Sequence, residues 1–546
     1  LRCTVDTASF DPDSDTLEYV FTWTVDGSAA DVATSTTYSD DTIPGHETRA
    51  EESWICTVTV NDGETSSEAA TASVVPEWKY LGWGDEPFLL DDAAAELFGT
   101  GATEQAGTVL ANAGDIDGDG INDLMIGSPT SDATYSNAGR AYVALAENFL
   151  DGLVLEPGAV RIYESDQSNT RFGQGLAGGQ NVGGSAQSDI AIGGYNYDLF
   201  DKEGIVAVYF DGGPESETPL GIADADVLLY GATESEQAGH DVEFLTDMNG
   251  DGHAELLVGA PRYDGPGSWS GAAYLVLGSD LAEGGTINLD DSTRIIGESG
   301  LDRAGDKVTS GGDIDGDGIA DLIIAAPYNE AGGAKAGRVY IVSGDEALSA
   351  YTLLLEDAGH KFQGEAANDQ AGTSIDGNFD ADGDGLADVL IGAPLNDENA
   401  NESGRAYLIF GESLPGIVSV SLADADVIFE SDELDAKLGS SVSGGSDINN
   451  DGFSDIAVGV PNSHIGGTDA GAAWVFQGAL VAAGGIFAES DTEVILYGTG
   501  ANDHAGQTVL GIGDVNGDTF GDLAIGEPND GTLRSNAGLV HILVTP

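Results

Sequence analysis

Basic residues are scarce in this chain of 546 residues: 17 Lys and Arg stand against 95 Asp and Glu, a formal net charge of −78. Such a field repels polyphosphate and anionic lipid, so nucleic-acid binding is excluded and cations are the natural partners. Long apolar runs are missing, the longest candidate being the short Ala/Gly-rich stretch 478–488, so no direct membrane insertion is expected. Cysteine is nearly absent. Cys3 and Cys56 fall near the N-terminus and the 490 residues after them (546 − 56) contain none, which suits an oxidising compartment. A start methionine and a basic-then-apolar leader are also missing at Leu1, so a processed or trimmed piece of a longer protein is expected. Proline is sparse at 16 while glycine reaches 80; with 41% hydrophobic residues in short recurring runs, the chain reads as folded and turn-rich.

A repeat dominates everything after about residue 80. The segment Asp115-Ile-Asp-Gly-Asp-Gly-Ile-Asn-Asp123 recurs from Asp247, Asp313, Asp380, Asp447 and Asp514, at spacings of 132, 66, 67, 67 and 67, so one copy is hidden in the first interval. It falls at 180–189, where the acidic character is lost but the flanks remain. Gly107, Gly173, Gly239, Gly305, Gly372, Gly439 and Gly506 mark the same period. Each of the seven units reads as four short strands bounded by turn signals, with no helical periodicity, which predicts an all-β seven-bladed β-propeller over 94–546. The last unit stops after its third strand, and Ala95-Glu-Leu-Phe-Gly99 aligns with the fourth strands of other units, so strand 94–98 is expected to pair with the last blade and close the ring. Residues 77–93 read as a linker.

Residues 1–76 lack the period and show alternating strands, Tyr19–Val25 before Asp26-Gly27 and Trp54–Val60 before Asn61-Asp-Gly63. The order Cys3, Trp23, Cys56 resembles bacterial Ig-like and PKD-type β-sandwich modules, here an incomplete one. That resemblance implies a disulfide between Cys3 and Cys56.

Six loops carry oxygen ligands at positions 1, 3, 5 and 9, with position 7 adding a backbone carbonyl, a spacing that wraps a tight loop around one hard cation. The sets are Asp115, Asp117, Asp119, Ile121 and Asp123; Asp247, Asn249, Asp251, His253 and Glu255; Asp313, Asp315, Asp317, Ile319 and Asp321; Asp380, Asp382, Asp384, Leu386 and Asp388; Asp447, Asn449, Asp451, Phe453 and Asp455; Asp514, Asn516, Asp518, Phe520 and Asp522. A hairpin turn needs one Asp-Gly pair; it does not need three or four carboxylates, whose repulsion is costly without a cation between them. Flexible all-oxygen loops suit Ca²⁺ better than Mg²⁺, giving about six Ca²⁺ ions, one per blade except the second. Asn450 and Thr519 replace loop glycines, and the seventh loop is the weakest of the six.

Ala-Gly markers, the nine-residue acidic loop, and Gly259-Ala-Pro261 or Gly392-Ala-Pro394 closing the second strand resemble FG-GAP repeats. These form the seven-bladed head of integrin α subunits and occur in many bacterial surface proteins. The resemblance implies Ca²⁺ rigidifying one face of the disc and a protein or glycan ligand on the opposite face, in a secreted or cell-surface adhesion module. It carries over no ligand identity. Aromatic residues in the loops between second and third strands are uneven around the ring, and Tyr195, Tyr197, Tyr263, Trp269 and Tyr328 are the candidate partner-binding residues. The alternatives are a self-associating subunit of an extracellular filament, sheath or matrix, and a polysaccharide-active enzyme. Seven scattered histidines in no close pairing favour a non-enzymatic reading.

Overall fold

The computed structural model describes residues 88–90 and 93–545, apart from 133–134, 150–152, 157–159, 199–202, 215–217 and 415–417; before residue 88 it describes strand backbone alone. The chain divides into two compact units, one of Leu1–Tyr80 with Glu147–Leu150 and one of Leu81–Ala146 with Asp151–Pro546.

In the first unit, Glu18–Val25 pairs antiparallel with Trp54–Asn61, opposing Trp23 to Cys56, and Trp54–Asn61 pairs with Ala70–Val74. Arg2–Thr4 pairs with Asp40–Thr42 in a separate three-stranded sheet. Cys3 and Cys56 thus stand on strands of different sheets, but their side chains, and the expected disulfide with them, lie outside the described residues.

The second unit is a seven-bladed β-propeller. Blade 1 shows the pattern: Val109–Gly114, Asp123–Ser128, Arg140–Ala144 and Arg161–Glu164 run antiparallel in order from the axis outward. The first strands of successive blades pack against one another, and those of blades 1 and 7 complete the circle. Second strands are buried along their whole length, which is why they read as continuous apolar runs such as Asp321–Ala326. Apolar side chains from neighbouring blades fill the space between sheets; Leu257 and Leu275 of blade 3 share a core with Leu322, Ile324 and Tyr340 of blade 4.

Glycine sets how closely blades approach. A Cβ on Gly259 would lie 2.2 Å from the carbonyl oxygen of Gly305 in the next blade, so neither the marker nor the Gly-Ala-Pro glycine tolerates a side chain there. The same pairing closes the ring, where a Cβ on Gly526 would lie 2.2 Å from the Gly107 oxygen.

The expected four strands per blade prove to be five. A short strand between the third and fourth strands of each unit leaves its own blade and pairs, parallel, with the fourth strand of the preceding one: Gly285–Asn288 on Val227–Tyr230, or Val418–Ser421 on His360–Gln363. The last unit lacks both outer pieces, and the segment before blade 1 supplies them. Phe88–Leu89 pairs with Val494–Tyr497 of blade 6, and Ala95–Phe98 pairs antiparallel with Leu539–Leu543 of blade 7.

Candidate metal centres

Each acidic loop joins a first strand to a second, so all of them emerge at the same end of the blades. The loops between second and third strands emerge at the other end. In every acidic blade but the third, a register shift in the first strand precedes the loop, as between Asn112 and Gly114, and the extra residue turns the backbone into the loop.

In blade 1 the loop folds around its own carboxylates. Asp115 accepts hydrogen bonds from the Gly118 amide at 2.6 Å and the Gly120 amide at 2.9 Å, Asp117 accepts from the Asp119 amide at 3.1 Å, and Asp119 from the Ile121 amide at 2.8 Å. Gly118 and Gly120 adopt φ of 86° and 90°, the left-handed conformation that lets these amides point inward. Thr519 is forced into the same region, at φ 79°, a costly conformation for a β-branched residue.

Position 9 has a second task. Asp123 is buried and accepts from the Ile116 amide at 3.0 Å and, across the blade, from the Ala146 amide at 2.9 Å. Asp321, Asp388, Asp455 and Asp522 do the same for the Ile314 and Gly344, Ala381 and Gly411, Ile448 and Gly478, and Val515 and Thr545 amides. Glu255 accepts from the Met248 amide at 2.7 Å. Burial, reinforced by loop carboxylates nearby, pushes the Asp123, Asp388 and Asp455 carboxyls up to about 7, Asp522 to about 8 and Asp321 to about 6.

The structure brings three acids to within 4.8 Å of one another in four loops: Asp115, Asp117 and Asp123; Asp247, Asp251 and Glu255; Asp313, Asp315 and Asp317; Asp380, Asp382 and Asp388. Among the described residues the acids of the sixth and seventh loops do not converge this way. Asn449 and Asn516 stand at position 3 there, and the Asn516 amide donates to Asp518 at 2.9 Å. In blade 4, Asp313 Oδ1 is buried without a hydrogen-bond partner among the described residues, in a loop whose acids converge. An oxygen-only donor set with one orphaned lone pair is what a hard cation fits.

Blade 2 keeps more than its composition suggests. Asp189 holds position 9 and accepts from the Val182, Gly183 and Asp211 amides at 2.6, 2.8 and 2.7 Å. Positions 1, 3 and 5 are Asn181, Gly183 and Ser185.

The FG-GAP repeat pattern matches residues 106–144, 238–276, 304–342, 371–409, 438–476 and 506–543. The chain is an FG-GAP repeat protein. Integrin alpha-4 of Xenopus laevis is 26% identical to it over 294 residues, covering 53% of this chain and 24% of that protein. Human integrin alpha-IIb is 27% identical over 289 residues, covering 50% and 25%. This FG-GAP protein therefore spans about a quarter of those relatives. The solved Dos1 propeller aligns with a TM-score of 0.38 and 8% identity, over 84% of this chain and 95% of that one.

At the opposite end of the FG-GAP blades the partner candidates separate. Tyr197 is buried in the core shared by blades 1 and 2, so it is scaffold and not a surface anchor. Tyr263 packs edge-on to Tyr274 and under Arg294. Tyr195 lies 5.0 Å from the His240 ring. Trp269 is exposed, with Arg262 and Arg303 at 4.9 and 5.7 Å from its centroid, and Arg303 also covers Tyr328 at 4.1 Å.

Proposed function

We propose that this FG-GAP protein is an extracellular, integrin-like interaction module in which Ca²⁺ rigidifies the end bearing the acidic loops and a protein or glycan binds at the other. Asp115, Asp117 and Asp119 with their counterparts would hold the ions, position 9 contributing an oxygen while anchoring the loop. The observation that carries the metal half is the buried, unpartnered Asp313 Oδ1 within an all-oxygen loop.

The partner half rests on Trp269. It is exposed and held at φ 56°, the conformation that Asn137, Lys335, Glu402, Asp469 and Asn536 adopt at the equivalent positions. The turn is common to the blades, so what sets Trp269 apart is a large aromatic ring left exposed beside two arginines, the composition of a binding anchor. Its flanking arginines, Arg262 and Arg303, stack on the ring and widen the contact surface.

Immobilised protein screened against glycans and extracellular proteins tests both halves. Binding is expected in Ca²⁺, weaker in chelator, and lost in Trp269→Ala at an unchanged melting temperature. Binding indifferent to both changes would refute the reading.

A further inference from the structure

Blade 7 departs from its neighbours at the end away from its acidic loop. In blade 4, Asn329 Nδ2 donates to buried Asp302 at 2.7 Å and lies 3.2 Å from the Tyr340 hydroxyl. Blade 5 repeats this with Asn396, Asp369 and Tyr407 at 3.1 and 3.4 Å. Further carboxylates stand beside each network, Glu298 in blade 4 and Glu365, which accepts from the Tyr407 hydroxyl, in blade 5, and the third strand balances them with an arginine: Arg338 pairs with Glu298, and Arg405 with Glu365 and Glu430.

At the same repeat positions blade 7 has Asp503 for the aspartate, Asp530 for the asparagine and His541 for the tyrosine. Glu527 replaces the alanine of blades 3 to 5 (Ala260, Ala326, Ala393), and Leu539 replaces the arginine. Glu96 stands directly opposite His541 on the closing strand. Glu96, Asp503, Glu527 and Asp530 line a cavity of about 230 Å³ that no Lys or Arg lines.

His541 is fully buried behind these acids. Its Nε2 lies 2.9 Å from Glu527 Oε2, and a neutral imidazole donating there keeps its lone pair on Nδ1. Nδ1 has no hydrogen-bond partner among the described residues and faces Glu96 Oε1 at 3.9 Å. Four carboxylates around a buried imidazole, with no Lys or Arg among the described residues that line the cavity, make a costly arrangement unless a cation occupies it. Burial, with Glu527 and Asp530 adding repulsion, pushes the Asp503 carboxyl up to about 6.

We propose that blade 7 holds a second kind of metal site, for a divalent transition ion of the Zn²⁺ type, bound by His541 Nδ1, Glu96, Asp503 and Asp530. Glu527 is a positioning residue, fixing the tautomer and orientation of the imidazole as carboxylates behind metal-bound histidines do. Nitrogen in the donor set selects against Ca²⁺, which takes oxygen. The 3.9 Å gap admits an ion with bonds of about 2.0–2.1 Å to both atoms. Unlike the loop acids, these ligand atoms do not converge within 4.8 Å, so binding has to draw Asp503 and Asp530 inward. Because Glu96 belongs to the first strand of the ring and His541 to the last, the ion would clasp the closure. This proposal is independent of whether the acidic loops bind Ca²⁺.

The test is zinc titration of the full chain, stripped with chelator and returned to several-millimolar Ca²⁺ to saturate the loops. A single equivalent of Zn²⁺ should bind, raise the melting temperature and slow amide exchange in residues 95–98. The double variant Glu527→Ala/Asp530→Asn installs the residues that blades 4 and 5 carry at these positions, so it should fold with an unchanged or higher melting temperature before zinc is added. Its zinc affinity should fall at least about tenfold, and His541→Gln should lose the equivalent altogether. No zinc uptake in saturating Ca²⁺, or equal uptake by wild type and the double variant, would overturn the proposal whether or not His541→Gln folds.

Discussion

The loops of blades 1 and 2 form the same nine-residue turn with opposite chemistry inside it. Asp115 takes in amide protons from Gly118, Asp119 and Gly120 and has no donor of its own. Asn181 takes one from Gly184 at 2.6 Å and returns two, donating from Nδ2 to the Ser185 and Gln187 carbonyl oxygens at 2.6 and 2.9 Å. One loop closes on an excess of acceptors and the other balances its own books. What they share is position 9, where Asp123 and Asp189 hold the turn to the third strand. The motif therefore combines two devices: a structural carboxylate that all seven blades keep, and an acceptor-rich set, proposed above to hold a cation, that blade 2 lacks.

The largest test of that division is to remove position 9. Asp321→Ala and Asp189→Ala each strand buried backbone amides, at a cost of about 3 kcal/mol, and the loss should be equal in Ca²⁺ and in chelator for Asp189. Local amide exchange and melting measure it; a silent Asp189→Ala beside a damaging Asp321→Ala would mean that position 9 acts through metal alone.

Chelation comes next. Each filled site should contribute on the order of 1 kcal/mol at millimolar Ca²⁺, and exchange should quicken in loops 115–123 and 313–321 but not in 181–189. The pH slope follows from the raised carboxyls. In chelator the folded protein holds protons that the unfolded chain has released above its ordinary carboxylate range, so stability is fullest below that range and declines as pH rises through about 6 to 8, where Asp321, Asp123 and Asp522 ionise. The melting temperature in chelator should drop between pH 5 and 8; in Ca²⁺, which binds the ionised form, the drop should vanish or reverse.

The smallest effect is a gain. Asn181→Asp/Gly183→Asp/Ser185→Asp rebuilds the missing set on a retained Asp189. It should lower stability in chelator and add a Ca²⁺-dependent increment of about 1 kcal/mol; a triple variant that ignores Ca²⁺ would show that the backbone of blade 2 has drifted from the binding geometry.

The blade count and the acidic loops were legible in the sequence because both depend on residues a fixed number of positions apart, and insertions within a unit are rare. Position 9 was visible as an acid at 123 or 321, but not as the anchor of Ala146 or Gly344, since the third strand's end carries no side-chain signature for an amide that donates. The fifth strand was missed because two to four residues such as Leu220–Gly221 or Thr352–Leu354 are too short to show alternation, and their partners belong to another unit. Tyr197 looked like a loop aromatic and is core, since loop membership does not specify burial. The blade 7 cluster escaped entirely: residues 96, 503, 527, 530 and 541 meet only after ring closure, and the signal that could have found them is a column-by-column comparison of the units, in which Asp530, Glu527 and His541 break their columns together.

The closing strand also sets a timetable. Phe98 pairs with Leu539, 441 positions later (539 − 98), whereas its parallel neighbours Leu153 and Val154 are made almost at once. At roughly 5–20 residues per second of synthesis, the strand waits about 20 to 90 seconds for its second partner. Blades 1 to 5 can assemble from nearby sequence as they emerge, whereas blades 6 and 7 each take a strand from before blade 1, so the ring grows by local steps and ends on two distant ones. Through that interval an unpaired edge at residues 95–98 is available to any other chain, including the unfinished end of a neighbour on the same message, which makes the final seam the place where a ring can be completed in trans.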